Sequence, residues 1–333
     1  MSETKQETKQ VSPYVPPLLA IFEPRIVNAD GDVDTDRAKS ARERQQWITM
    51  FTPKFVFDKD EKYWPCNVET YIKYCSLWRK SSDGKGDTLC IAEGKVTVDD
   101  LAKTGDDKDS GNKYYLNINE KFWGGERENL DNVPVFTHVR DQFGYIEVIY
   151  FIFFAYNGNL DVAGCFKAGA HQADIEHVTM RIDRTTKKLL GVYYSAHATV
   201  DGAWVTGKDI KFDDGKDGKD GVSHPLVYVA KNSHAMYSAP GTWARFCCFA
   251  NDSITVDTEH TPTSWIPQVF VKADTVSDAP VLRYKGNWGN DGVSNFPDKI
   301  SFSTGEVLTS NTWWRRMFCC LCDATCCLTD VTF

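Results

Sequence analysis

No apolar run in this chain approaches the ~20 residues that a membrane-crossing helix requires. The longest, Val148-Ile-Tyr-Phe-Ile-Phe-Phe-Ala155, has the length of a strand. The opening residues, Met-Ser-Glu-Thr-Lys-Gln-Glu-Thr, contain no apolar h-region, so a secretory signal is not expected. Positive charge is in deficit as well. With 38 Lys and Arg against 46 Asp and Glu, the formal net charge is −8, and phosphate backbones would be repelled, so nucleic acid is not an expected partner. There is no Gly-x-Ser-x-Gly elbow, no P-loop and no dinucleotide fingerprint. The 11 cysteines are odd in number and five crowd into residues 319–333, whereas a secreted disulfide framework would be even and spread through the fold. The expected location is therefore cytoplasmic, with reduced thiols.

What is present is material for a large β core: 42% hydrophobic residues, 13% of all residues aromatic. Residues 1–18 are polar and then proline-rich (Pro13, Pro16, Pro17), an expected flexible arm. Asp30, Asp32 and Asp34 alternate like a calcium loop, but Thr35 and Ala41 stand where an EF-hand needs glycine and glutamate, and that reading is rejected. Short helices are expected over 34–47 and 67–78, the second with Asn67 as cap and Val68, Ile72 and Cys75 on one face. From about residue 113 the signals are strands rich in β-branched and aromatic residues: 145–155, 175–182, 189–195, 226–229 and 267–271. Turn clusters separate them, and the Asp/Gly/Lys repeat over 213–221 reads as a loop. Many short strands and few peripheral helices make the expected fold mainly β, a β-sandwich or jelly roll, with one domain over 19–312 and a cysteine-rich tail over 313–333.

Five of the 7 histidines fall between positions 171 and 234, and the densest segment is Gly169-Ala-His171-Gln-Ala-Asp174-Ile-Glu176-His177. In a strand Asp174 and Glu176 share a face with Val178 and Met180, while Ile175, His177, Thr179 and Arg181 take the other. A same-face carboxylate pair is costly to bury without something positive between its members. His171, Asp174 and Glu176 are therefore candidate ligands of a divalent cation, calcium or magnesium in preference to zinc given the oxygen-rich set. The competing reading is an ordinary strand end with its acids paired to Arg181 or a lysine. His177, Ser195, His197, His224 and His234 are candidates for ligand binding or support around the same pocket. His138 and His260 are read as surface or packing residues.

A family resemblance rests on longer segments. Tyr63-Trp-Pro-Cys-Asn-Val-Glu69, Pro134-Val-Phe-Thr-His-Val-Arg140, 150–158, 169–178, Tyr194-Ser-Ala-His197, 224–234, Pro240-Gly-Thr-Trp-Ala-Arg245 and Tyr284-Lys-Gly-Asn-Trp-Gly289 resemble the vacuolar protein sorting-associated protein 62 family in order over roughly 50–300. More distantly, His171-x-x-Asp174-x-Glu176, Ser195-x-His197 and the pair His224 and His234 are similar to segments of the necrosis-inducing cytolysins (NPP1-like). That likeness implies a β-sandwich whose acidic residues hold a divalent cation and dock on lipid head groups. Ile175 stands where those toxins carry tryptophan, and secretion and toxicity are not expected to carry over. The expected function is a membrane-trafficking protein recognising a polar head group or glycan through a divalent cation. The alternative is a metal-dependent hydrolase in which the same His, Asp and Glu side chains activate a water.

The tail, Trp313-Trp-Arg-Arg-Met-Phe-Cys-Cys-Leu-Cys322, combines aromatic, basic and thiol groups. It has three readings: acylation at Cys319, Cys320 and Cys322 with peripheral membrane contact, a final buried strand, or a zinc site.

Overall fold

The computed structural model describes residues 35–82, 86–105, 113–162, 166–196, 202–213, 224–245, 250–256, 264–273, 281, 284 and 286–290. The loop 214–223, His197, His260, the arm 1–18 and the tail with Cys319, Cys320 and Cys322 lie outside the described residues. The chain divides into a unit of residues 1–46, described only as the helical stretch from Thr35, and a unit from Trp47 onward.

The helices are α1 (Thr35–Met50), α2 (Val68–Lys73) and α3 (Val98–Gly105). The strands begin with β1 (Lys54–Phe57), β2 (Cys75–Arg79), β3 (Thr88–Ile91), β4 (Tyr114–Ile118), β5 (Pro134–Gln142) and β6 (Tyr145–Asn157). They continue with β7 (Leu160–Val162), β8 (Phe166–Ala168), β9 (His171–Asp183), β10 (Leu189–Tyr194), β11 (Ala203–Thr206) and β12 (Leu226–Val229). The last are β13 (Met236–Tyr237), β14 (Gly241–Arg245), β15 (Ala250–Ile254), β16 (Ser264–Trp265) and β17 (Val269–Lys272).

The fold is a β-sandwich organised on a six-stranded sheet in the order β11-β10-β9-β6-β5-β17, antiparallel except for the β17–β5 pair. One face of β6, through Ile149, Phe151, Phe153 and Ala155, packs with Leu77, Leu116 and Ile118 of the β3-β2-β4 sheet and with Tyr71, Ile72 and Leu101 of the helices. The other face, through Val148, Tyr150, Ile152 and Phe154, packs with Phe55, Phe57, Val227 and Val229 of the β13-β12-β1-β16 sheet and with Trp47 and Ile48. A strand covered on both faces needs apolar side chains at odd and even positions alike, which is why β6 reads as an uninterrupted apolar run. Truncating a side chain as deep as Phe154 would cost about 3–5 kcal/mol.

The expected strands are all found, with β6 and β9 longer than expected. The helix expected over 67–78 stops early. Asn67 caps it as expected, its side chain accepting from the Glu69 N–H at 2.8 Å. Past Tyr74 the chain becomes β2, with Cys75 opposite Ile118 and Leu77 opposite Leu116. Pairing with β4 outcompetes helix extension there, and the alternation of buried Cys75 and Leu77 with half-buried Ser76 and Trp78 is the strand period.

Cys66 and Cys75 are free and fully buried, and burial pushes both thiols well above their usual range. Since the thiolate is the reactive form, N-ethylmaleimide should leave both unmodified in the native protein while alkylating the exposed Cys90. Site-resolved peptide mass spectrometry checks this; labelling of Cys66 or Cys75 before unfolding would contradict the packing.

Candidate functional site

β9 lies antiparallel to β6 with Asp174 opposite Phe154 and Glu176 opposite Ile152. Asp174 and Glu176 therefore share the face of Val178 and Met180, as the period of two requires, and both are buried, 4% and 7% exposed. The partner that the fold gives Asp174 is His234. Its Nδ1 is 3.0 Å from Asp174 Oδ2 and its Nε2 is 3.1 Å from the Tyr63 carbonyl oxygen. A carbonyl only accepts, so Nε2 carries a hydrogen, and a further proton lies between Nδ1 and Asp174. The imidazole, fully buried, is stacked on Phe154 at 3.8 Å between ring centres and 4° between planes.

Glu176 is held differently. The Ser195 hydroxyl donates to its Oε2 at 2.7 Å and accepts from the His177 backbone N–H at 3.2 Å. The Ser195 carbonyl accepts from the Met236 N–H at 2.7 Å, so this residue ties β9 to the turn that leads out of His234. The serine proton goes to a carboxylate and not to an imidazole, which is not the arrangement of a histidine-activated nucleophile.

The backbone is strained around the pair. Ala173, Asn232 and His234 have φ of 55°, 65° and 57°, a left-handed conformation that costs a non-glycine residue on the order of 1–3 kcal/mol. Lys187 is the one other described non-glycine residue of this kind. Hydrogen bonds hold each of these positions. His171 Nδ1 lies 2.8 Å from the Ala173 carbonyl. Asn232 donates its N–H to Glu61 Oε2 at 2.8 Å, while Glu61 Oε1 accepts the N–H groups of Lys62 and Tyr63. Ser233 donates to the buried Asp252 at 2.6 Å, as does the Tyr237 hydroxyl. Gly158 has no room for a side chain: a Cβ there would meet Tyr63 Cε2 at 2.5 Å and Asn232 Cβ at 2.9 Å.

At the surface beside the pair is a row of half-buried aromatic rings. Tyr63 packs on Tyr156 at 5.0 Å, and Tyr156 stacks on Trp123 at 4.1 Å with 12° between planes. Asn159 and Asn232 border it, the Asn232 amide donating to the Asn159 carbonyl at 2.9 Å.

The structure thus brings together Asp174, Glu176, Ser195 and His234. It does not bring the other described candidates to them. His177 is on the opposite face, between Phe151 at 5.7 Å and Tyr193 at 5.8 Å, a core imidazole among aromatics. His224 Nδ1 is 2.8 Å from the Thr52 carbonyl at the far end of β12, roughly 15 Å of extended chain from the turn carrying His234. Of the expected convergence on one pocket, His234 joins Asp174, His224 does not, and His197 lies outside the described residues. His171 Nδ1 faces the Ala173 carbonyl, and among the described residues no three His, Cys, Asp or Glu side chains are grouped to hold a metal ion. Asp174 Oδ1 accepts from the Ile175 N–H at 2.9 Å and Oδ2 faces His234, and His171, Asp174 and Glu176 are not gathered into the expected three-ligand set. Glu61 is not among the residues the sequence singles out, and Tyr63 enters there only as the first residue of a family segment, not as a site residue. The available signal was an acid inside the aromatic segment Glu61-Lys-Tyr-Trp-Pro65.

Fold and site together define a β-sandwich protein with a buried carboxylate–imidazole pair beneath an aromatic rim. The chain belongs to the vacuolar protein sorting-associated protein 62 family, whose model matches residues 31–297. It is 24% identical over 303 residues to vacuolar protein sorting-associated protein 62 of Saccharomyces cerevisiae, covering 77% of this chain and 62% of that protein. A second vacuolar protein sorting-associated protein of the same yeast, TDA6, is 23% identical over 313 residues, covering 80% of this chain and 65% of that one. The chain thus spans a little under two thirds of the length of these relatives. Among solved structures, necrosis and ethylene inducing protein 2 from the agent of cocoa's witches' broom disease is similar over 74% of this chain and 86% of that one, with 11% identity and a TM-score of 0.32.

Removing one partner of a buried pair strands the other and costs about 3–5 kcal/mol. Asp174→Ala and His234→Ala should each lower unfolding stability by that order, with the double mutant less than the sum by about 0.5–3 kcal/mol. Denaturant titration of the four proteins measures the coupling; strict additivity would mean that the two side chains do not interact.

Proposed function

We propose that this chain is a binding protein of membrane trafficking that recognises a hydroxyl-rich polar group, a glycan or a sugar-like lipid head group, on the rim formed by Tyr63, Tyr156 and Trp123. The observation that carries this reading is the direct link between rim and pair: the Tyr63 carbonyl accepts from His234 while the Tyr63 ring packs on Tyr156. Stacked aromatic faces suit the apolar face of a sugar ring, and flanking asparagines supply the donors and acceptors that fix its hydroxyls. The buried Asp174–His234 pair holds the Tyr63 backbone in place, so the rim is organised before ligand arrives and loses little entropy on binding. The proposed place of action is the cytoplasmic face of a membrane, with Cys319, Cys320 and Cys322 as proposed acylation sites. The divalent cation expected from the sequence enters this reading only as a competitor of His234 for Asp174, not as a preassembled centre.

The test is a glycan array together with flotation on phosphatidylcholine vesicles containing phosphatidylinositol. Wild type should bind at least one of these probes, and Trp123→Ala or Tyr156→Ala should weaken it about tenfold, equivalent to ~1.4 kcal/mol. Repeating the measurement with calcium, magnesium or EDTA decides whether a cation contributes. Binding that both rim variants retain in full would contradict the assignment.

A further inference from the structure

The core face of β6 that carries Ile149 and Phe151 changes character two residues nearer the β5–β6 hairpin. There Arg140 of β5, Glu147 of β6 and Arg181 of β9 occupy neighbouring positions in one row of the sheet. Glu147 is 1% exposed, and both of its oxygens are taken by guanidinium groups. Oε1 accepts from Arg181 Nε at 3.0 Å and Nη2 at 2.7 Å. Oε2 accepts from Arg140 Nε at 3.0 Å and from Arg140 Nη2. Each guanidinium thus commits one edge to the carboxylate, and among the described residues neither Nη1 has a partner. Two positive charges against one negative leave the row with a net unit of positive charge.

The surroundings do not cancel it. Asp141, the carboxylate next along β5, pairs with Arg184, and Asp183 accepts the N–H groups of Thr185 and Thr186 in the β9–β10 turn. Arg181 is also clamped between rings, 4.6 Å from the centre of Tyr145 and 4.1 Å from that of Trp204. The Trp204 ring lies over Gly191, where a Cβ would come within 3.3 Å of Trp204 Cε3. The site is open on its outer side: the Arg140 and Arg181 side chains are 24% and 35% exposed, and Trp204 is 42% exposed. Guanidinium forks match oxyanion geometry, and a fork immobilised by a buried carboxylate and two rings loses little freedom when it binds one.

We propose that Arg140 and Arg181, held by Glu147 and flanked by Tyr145 and Trp204, form an anion site for a phosphate-bearing ligand. Each guanidinium presents its uncommitted Nη1 to the phosphate oxygens, and Trp204 covers the adjoining part of the ligand. This site is separate from the Tyr63–Tyr156–Trp123 rim and stands whether or not that rim binds a sugar. Its charge sets it apart as well, since the row is locally positive in a chain of net charge −8.

Calorimetric titration with pyrophosphate, and flotation on phosphatidylcholine vesicles with and without phosphatidylinositol 4-phosphate, read the site directly. Arg181→Lys keeps a cation on Glu147 but loses the fork, and Trp204→Ala removes a ring without touching a hydrogen bond of the row. Unchanged circular dichroism and thermal melting verify the fold of each. Binding of wild type to either probe, weakened at least tenfold in Arg181→Lys and severalfold in Trp204→Ala, supports the site. Pyrophosphate binding points to a soluble phosphate ester, and vesicle binding alone to a lipid head group. Retention of that binding in Trp123→Ala separates it from the rim. Failure of wild type to bind either probe at millimolar concentration, or equal binding by both variants, overturns the proposal.

Discussion

The antiparallel pairing of β6 with β9, running from Tyr145 opposite Asp183 to Asn157 opposite His171, is the constraint on which the other features depend. It divides the side chains of both strands between two cores. A slip of one residue would exchange every face, placing Asp174 and Glu176 among Ile149, Phe151 and Phe153 and driving Ile175 toward Val178's core. Because both faces are packed over 148–155, such a slip has no tolerable alternative, and the register is specified by the apolar side chains themselves. The same register sets Arg140, Glu147 and Arg181 in one row at the hairpin end and Asp174 beside Phe154 at the other.

At the Asp174 end the structure spends stability locally. Three left-handed residues, a buried carboxylate and a buried imidazole are each unfavourable alone. They persist together because each answers another's need: a hydrogen bond joins His234 to Asp174, and Phe154 supplies a flat apolar surface for the ring. Glu61 and Asp252 bind the backbone and side chains of the turn that carries His234. Hydrogen bonds within the turn and to β9 fix the arrangement of this end of the sheet. Its hydrogen-bonding capacity is largely consumed by its own scaffold.

Much of the fold was legible because strand period and burial are local properties. The alternation over 174–180 assigned Asp174 and Glu176 to one face, and the unbroken apolar run at 148–155 marked the strand covered on both sides. The partner of Asp174 was not legible in the same way. His224 and His234 look equivalent in sequence, but an extended β12 lies between them and puts them at opposite ends of a strand. Spacing and the cytolysin likeness make His171 a candidate ligand; the left-handed Ala173, whose carbonyl accepts from the His171 ring, turns Nδ1 to the backbone, and nothing in the residue types announces a positive φ at alanine. Glu61 and Tyr63 meet His234 across more than 170 positions of chain, a contact that only tertiary folding creates.

The central claim is that His234 makes the buried Asp174 tolerable. Nitrogen-15 NMR of the imidazole rings in metal-free protein tests it most directly. The account predicts a slowly exchanging ring proton at His234 whose resonance shifts or disappears in Asp174→Asn, with the remaining histidines unchanged. A His234 ring whose protons exchange freely with water and do not respond to Asp174 would contradict it.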